Sequence, residues 1–263
     1  MSAPILDVRN LTFTVGRKTI LDRITFSVNE GDYVSVIGPN GAGKTSLIRC
    51  LNRINRIASG TISVAGTPLH ELDQRELARI MSYVPQADGR DAPFSVYDFV
   101  LMGRYPHRSA LSGLRREDHD AVEAALASTH TEAFAERSLA TLSGGEQQKV
   151  FIAAALAQEA RILLLDEPTT FLDYRHQVEV RALLHRLNRE QGITIIAVTH
   201  DADAAVFSSH RVLALKHGAL IFDGTPDALL DPEVLENIYD TAFRIVRDGA
   251  SNAPIVVPEG PAS

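Results

Sequence analysis

The run Tyr33-Val34-Ser35-Val36-Ile37 leads directly into Gly38-Pro39-Asn40-Gly41-Ala42-Gly43-Lys44-Thr45, after which Leu47, Ile48, Leu51 and Ile54 fall on one helical face. That succession leaves few folds open. The apolar run belongs inside a sheet, the glycine-rich loop must wrap around something, and the helix must return across the sheet. The spacing G-x-x-x-x-G-K-[ST] between a strand and a helix is the arrangement that cradles phosphates. Asn40 and Ala42 complete the loop, while backbone N–H groups of Gly41, Gly43, Lys44, Thr45 and Ser46 are expected to point inward at the positive end of the helix. Lys44 would then reach the β- and γ-phosphates and the Thr45 hydroxyl would ligate Mg²⁺. Binding of a nucleoside triphosphate with its magnesium is therefore expected. A glycine-rich turn with an incidental lysine would require neither the strand before it nor the helix after it.

The chain has 263 residues, enough for one large α/β domain or a domain with an inserted subdomain. Its hydrophobic fraction of 45% and charged fraction of 22% are those of a folded globular chain. The formal net charge of −7 argues against nucleic acid as the main ligand. The N-terminal segment has no basic and apolar leader, and no window approaches the roughly 18 consecutive apolar residues of a membrane span. The expectation is a chain neither exported nor membrane-embedded. The single cysteine, Cys50, cannot form an intrachain disulfide and reads as a small core residue.

Residues 5–37 carry three strand patterns, and "SGTISVAGTPL" a further short strand between glycine turns. From about residue 88 to 142 the pattern is helical, which interrupts the βα alternation and predicts an inserted helical subdomain. The nucleotide-binding core is then expected at about residues 5–87 and 143–240. "RILLLDE" and "ITIIAVTH", separated by an amphipathic stretch, restore a parallel βαβ unit. "RVLALKHGALIF" reads as a hairpin turning at His217 and Gly218. The Pro-, Gly-, Ala- and Ser-rich tail at about 246–263 is expected to be loosely ordered.

Two carboxylates, Asp166 and Glu167, end the apolar strand Ile162 to Glu167, at the edge where α/β proteins bind ligands. Asp166 is placed to hold the magnesium shell. Its neighbour Glu167, where the chain turns at Pro168, is placed to polarise a water attacking the γ-phosphate. Upstream, Ser143-Gly144-Gly145-Glu146 fits a capping box, which explains the serine and the glutamate. It does not explain two glycines at a helix start, where they cost conformational entropy, so a close approach, most simply by an anion, is expected there.

"LSGGEQQ" followed by "RILLLDEP" is similar to the signature and Walker B sequences of ATP-binding cassette (ABC) ATPases. The resemblance covers about residues 5–240. It implies a P-loop NTPase fold with a mostly parallel core sheet, an N-terminal antiparallel β subdomain and an inserted helical subdomain. It also implies ATP hydrolysis by a homodimer in which Ser143, Gly144, Gly145 and Glu146 of one copy close over ATP held by the other. Gln86, in Tyr83-Val84-Pro85-Gln86, matches the Q-loop, with a contact to Mg²⁺ and flanks touching a transport partner. Asp173, in Thr170-Phe171-Leu172-Asp173, matches the D-loop, and His200 matches the switch histidine that senses the γ-phosphate. Members usually place an aromatic on adenine where this chain has Val15; either Phe13, two residues away on the same strand face, substitutes for it, or Val15 holds adenine by a weaker apolar contact.

"VYDFVLMGRYPHRS" and Leu172-Asp173 followed by His176-Gln177 look most like importer ATPases for iron-siderophores, haem and cobalamin. Such a subunit sits on the cytoplasmic face of the plasma membrane, against an integral-membrane permease dimer supplied by a substrate-binding protein. A zinc or manganese importer, or a soluble ABC ATPase of iron-sulfur cluster assembly, is the alternative. A DNA-maintenance ATPase is disfavoured because the cassette lacks long coiled coils and zinc modules. Arg104, His107 and Arg108 read either as a solvated loop or as part of a docking face.

Overall fold

The computed structural model describes residues 3–86, 93–108, 113–249 and 253–259. In chain order its elements begin with β1 (Leu6–Val15), β2 (Lys18–Val28), β3 (Tyr33–Ile37), α1 (Lys44–Leu51), β4 (Ser59–Val64) and β5 (Thr67–Pro68). Next come α2 (Gln74–Ile80), β6 (Met81–Val84), α3 (Val96–Met102), α4 (Arg116–Thr129), α5 (Gly144–Ala157), β7 (Ile162–Asp166) and α6 (Tyr174–Gln191). The chain continues through β8 (Thr194–Val198), α7 (Ala202–Ser208), β9 (Arg211–Lys216), β10 (Ala219–Gly224), α8 (Pro226–Leu229), α9 (Pro232–Tyr239), β11 (Phe243–Arg247) and β12 (Pro254–Pro258).

Two compact units divide this chain, residues 1–66 with 196–263, and residues 67–195. In the first, β1 pairs antiparallel with both β2 and β4. Every residue of β3 is buried, as its apolar run requires, and β3 lies parallel to β9, which forms the expected hairpin with β10 across His217 and Gly218. Beneath them Ile37 packs with Val212, Ala214, Leu229, Leu235 and Ile238. Helix α1 ends at Leu51, so Ile54, counted above in its apolar stripe, lies beyond the helix and is exposed. Cys50 is buried, and burial pushes its thiol up to about 12.

The tail departs from the expectation of loose order. Strands β11 and β12 pair antiparallel, Val256 is buried in the cluster beneath β3, and its N–H donates to Asp203 Oδ1 at 2.9 Å. The sequence "PIVVP" carries the apolar residues that do this, although the surrounding Pro and Gly suggest the opposite.

In the second unit β6 and β7 are parallel, and Val96, Val100, Val122, Leu126, Leu139, Val150 and Ala153 form one apolar core. Helix α5 therefore buries its face against α3 and α4. The second compact unit, residues 67–195, takes in these helices together with β6 and β7, and α5 packs with the helices before it. Residues 87–92 and 109–112 of the expected helical insertion lie outside the described residues. No described helix is long and apolar enough to cross a membrane.

Arg104 is neither solvated nor available for docking, being only 4% exposed. Its guanidinium donates to Asp118 Oδ1 at 3.2 Å, to the Ala157 carbonyl at 2.6 Å and to Glu159 Oε2 at 2.6 Å. His107 Nε2 lies 2.8 Å from the Gln158 carbonyl, so the pair grips the C-terminal end of α5, where cations are favoured.

Candidate functional site

Within the first unit, the phosphate loop follows the buried end of β3. Gly43 occupies the N-cap of α1 at φ 104°, a left-handed conformation that only glycine adopts without strain, and offers no side-chain cap to the helix. No carboxylate lies in the first turn of α1, which keeps that helix end suited to an anion. Lys44 is 5% exposed, with Nζ donating to the carbonyls of Gly38 at 2.7 Å and Pro39 at 3.1 Å. The ammonium is thus folded back along the loop. Asn40 and Gly41 are exposed at its crest, Ala42 is buried, and Thr45 and Ser46 are half-buried at the start of α1. His200 is exposed after β8, where Thr199 N–H bonds to Val36 and Asp201 caps α7.

Phe13 does not stand in for Val15. It is 9% exposed, opposite Leu21, whereas Val15 is 60% exposed opposite Lys18. The β1–β2 register shifts between Phe13 and Thr14, so simple alternation fails at that point. Phe13 is a core residue, and the outward surface at this place is aliphatic.

Within the second unit, β6 and β7 bring two distant residues together. Val84 pairs with Leu165, so Gln86 and Glu167 each stand two residues past the paired positions. Gln86 Nε2 donates to Glu167 Oε2 at 3.2 Å, and Thr170 Oγ1 donates to the same oxygen at 2.9 Å. Glu167 has φ 50°, a left-handed conformation disfavoured for a side chain of this kind and concentrated at functional sites. Its half-buried carboxylate stands just past the end of β7, where Gln86 and Thr170 meet it. Asp166 is 2% exposed, with the Tyr83 hydroxyl donating to Oδ2 at 3.4 Å. Tyr83 and Thr170 carry no role in the sequence reading beyond their motifs, although Thr170, three residues after Glu167, has the spacing of a local turn contact.

The capping box at α5 forms as expected. Glu146 Oε2 accepts the Ser143 N–H at 2.7 Å and its hydroxyl at 2.9 Å, and these bonds hold the carboxyl below its ordinary range. Ser143 and Gly144 are exposed; Gly145 is buried. Asp173 caps α6, accepting the His176 N–H at 2.9 Å, and that bond lowers its pKa. Within the second unit, Gln86 and Asp166 offer amide and carboxylate oxygens, hard donors of the kind that magnesium takes, and in the first unit Thr45 offers a hydroxyl. Among the described residues no group of three or more His, Cys, Asp or Glu is arranged to hold a metal by itself.

The ABC transporter family profile matches residues 21–170. The iron(3+)-hydroxamate import ATP-binding protein FhuC of Bacillus subtilis is 38% identical over 95% of this chain and 93% of its own length. The ferric enterobactin transport ATP-binding protein FepC of Escherichia coli is 37% identical over 95% and 92%. The solved dimer of the ATP-binding cassette MJ0796, in a post-hydrolysis state with ADP and Pi, superposes with a TM-score of 0.72 at 29% identity, covering 84% of this chain and 98% of that one.

Proposed function

Because this chain belongs to the ABC transporter family, we propose that it is the ATPase subunit of an importer, seated on the cytoplasmic face of the plasma membrane and driving uptake of a ferric chelate through a separate permease dimer. The observation that carries the catalytic reading is Glu167, kinked out of β7 and steadied by Gln86 and Thr170. The importer reading and the ferric cargo rest on relatives whose names specify iron(3+)-hydroxamate and ferric enterobactin. A substrate-binding protein would select the chelate.

Two copies close over two ATP molecules. In each, Lys44 and the amides at the start of α1 hold the β- and γ-phosphates, and the exposed Ser143 and Gly144 cover the nucleotide on the other copy. Thr45, Asp166 and Gln86 would each offer an oxygen ligand to magnesium, which when bound would supply charge neutralisation to the phosphates. Glu167 accepts a proton from the attacking water and orients its oxygen toward the γ-phosphorus, while His200 donates to a γ-phosphate oxygen. Hydrolysis then releases the clamp. Beside Gln86, an apolar groove lined by Phe99, Met102, Phe151 and Ala154 receives a segment of the permease, so that movement of the Gln86 strand is felt at the membrane.

Lys44→Ala is expected to weaken ATP binding by about tenfold to a hundredfold, the worth of lost charge-assisted hydrogen bonds, with unchanged melting in the absence of nucleotide. Equilibrium binding of a fluorescent ATP analogue measures it, and unaltered affinity would remove the loop from the site. For the transport reading, the chain produced with its permease should sediment with membranes and remain in the supernatant when the permease is missing. Identical fractionation in both cases contradicts it.

A further inference from the structure

The glycine pair at the start of α5 is asymmetric. A Cβ built on Gly144 would meet only Leu172 Cδ2, at 3.8 Å, an ordinary contact. One built on Gly145 would overlap the His176 ring and stand 2.7 Å from its Cβ. Gly145 is thus a glycine because α6 presses on α5 within a single protomer, and the approach of an anion is needed to explain only Gly144.

The ring pressing on Gly145 is itself fixed. His176 Nδ1 lies 2.8 Å from Asp173 Oδ1, the same oxygen that accepts the His176 N–H at 2.9 Å. A carboxylate only accepts, so Nδ1 carries the hydrogen. One turn along, Lys149 of α5 pairs with Glu179 of α6, which also accepts from Arg175 Nε at 2.9 Å. Gly145 on His176 and Lys149 on Glu179 therefore match the first two turns of α5 to those of α6. The two helix starts, capped by Ser143 and Asp173, lie side by side.

We propose that His176 is a positioning residue that locks the Asp173 carboxylate and the Ser143–Gly144 helix start in one register, so that a protomer presents both to its partner's ATP as a single rigid face. This rests on the proposal that ATP is hydrolysed between two copies. His176 touches no nucleotide; it acts through the elements it joins. Its removal spares the phosphate loop of its own chain and misplaces what covers the other nucleotide, and misplacement is felt in kcat more than in KM.

Steady-state ATPase measurements on the full chain test this with four variants. His176→Ala should lower kcat by about tenfold while KM for ATP changes by less than about twofold. His176→Asn, whose side-chain amide can donate to Asp173 from the same side, should recover most of the loss. Gly145→Ala should lose at least about tenfold, and adding His176→Ala to it should restore part of that activity, because the overlap is gone. Wild-type kcat in both His176 variants overturns the proposal, as does a double variant whose loss is the product of the single losses. Should His176→Ala fail to fold, rescue by His176→Asn and the Gly145→Ala background still decide the matter. Glu167→Gln in parallel separates the premises: if it abolishes turnover while the His176 variants are normal, only the positioning role falls, and if it hydrolyses normally, the catalytic reading falls first.

Discussion

Glu167→Gln is expected to leave ATP binding unchanged and to reduce turnover by on the order of 10² to 10⁴-fold, the range contributed by a positioned general base. Binding persists because Lys44 and the α1 N-terminus belong to the other compact unit and are untouched. Glutamine has the shape of glutamate and can still accept from Thr170 and Gln86 through its amide oxygen, so the kinked turn after β7 is retained. It has no basic oxygen to receive a proton from water. With hydrolysis stopped, the closed pair has no route to release, and the ATP-loaded variant should elute as a dimer in size-exclusion chromatography. A variant that turns over ATP at the wild-type rate would show that Glu167 is only a strand-end carboxylate.

The largest effect on stability is expected at Arg104. Replacing it with alanine strands the buried Asp118 with its Arg115 N–H contact at 3.0 Å and removes the donor on the Ala157 carbonyl. Breaking one partner of a buried ion pair costs about 3–5 kcal/mol, even where the intact pair adds little over an apolar substitute. For a chain of this size that corresponds to a fall in Tm of roughly 10 °C, measurable by thermal or urea melting. Arg104→Lys should recover only part of it, since a single ammonium cannot span Asp118, Ala157 and Glu159 together. The pH dependence has a definite sign. The Arg115 N–H and the Arg104 guanidinium hold the Asp118 carboxyl below its ordinary 3.8, so its contribution is complete above that value and is lost as acid carries the pH below it. A melting temperature within a degree or two of wild type would show that the cluster is dispensable.

What could be read without coordinates was local chemistry. The phosphate loop, the Ser143–Glu146 box and the hairpin at His217 each depend on residues within a few positions of one another. The meeting of Gln86 with Glu167 depends instead on the parallel register of β6 and β7, so no local pattern announces it. The same holds for His176 against Gly145: steric conflict between two helices leaves no periodic trace. Phe13 misled because alternation assumes a regular ladder, and β1 is irregular where it mattered. Arg104 misled because arginine is ordinarily at the surface, and nothing in the adjacent sequence announces that Asp118 and the end of α5 close around it.

The left-handed backbone at Glu167 places a tension just past the end of β7. A residue with a Cβ gives up roughly 1–2 kcal/mol to stand in that conformation, and glycine would stand there at ease. A glycine, however, has nothing with which to activate water. An acid at this bend therefore sets backbone ease against the chemistry that only its carboxylate can supply.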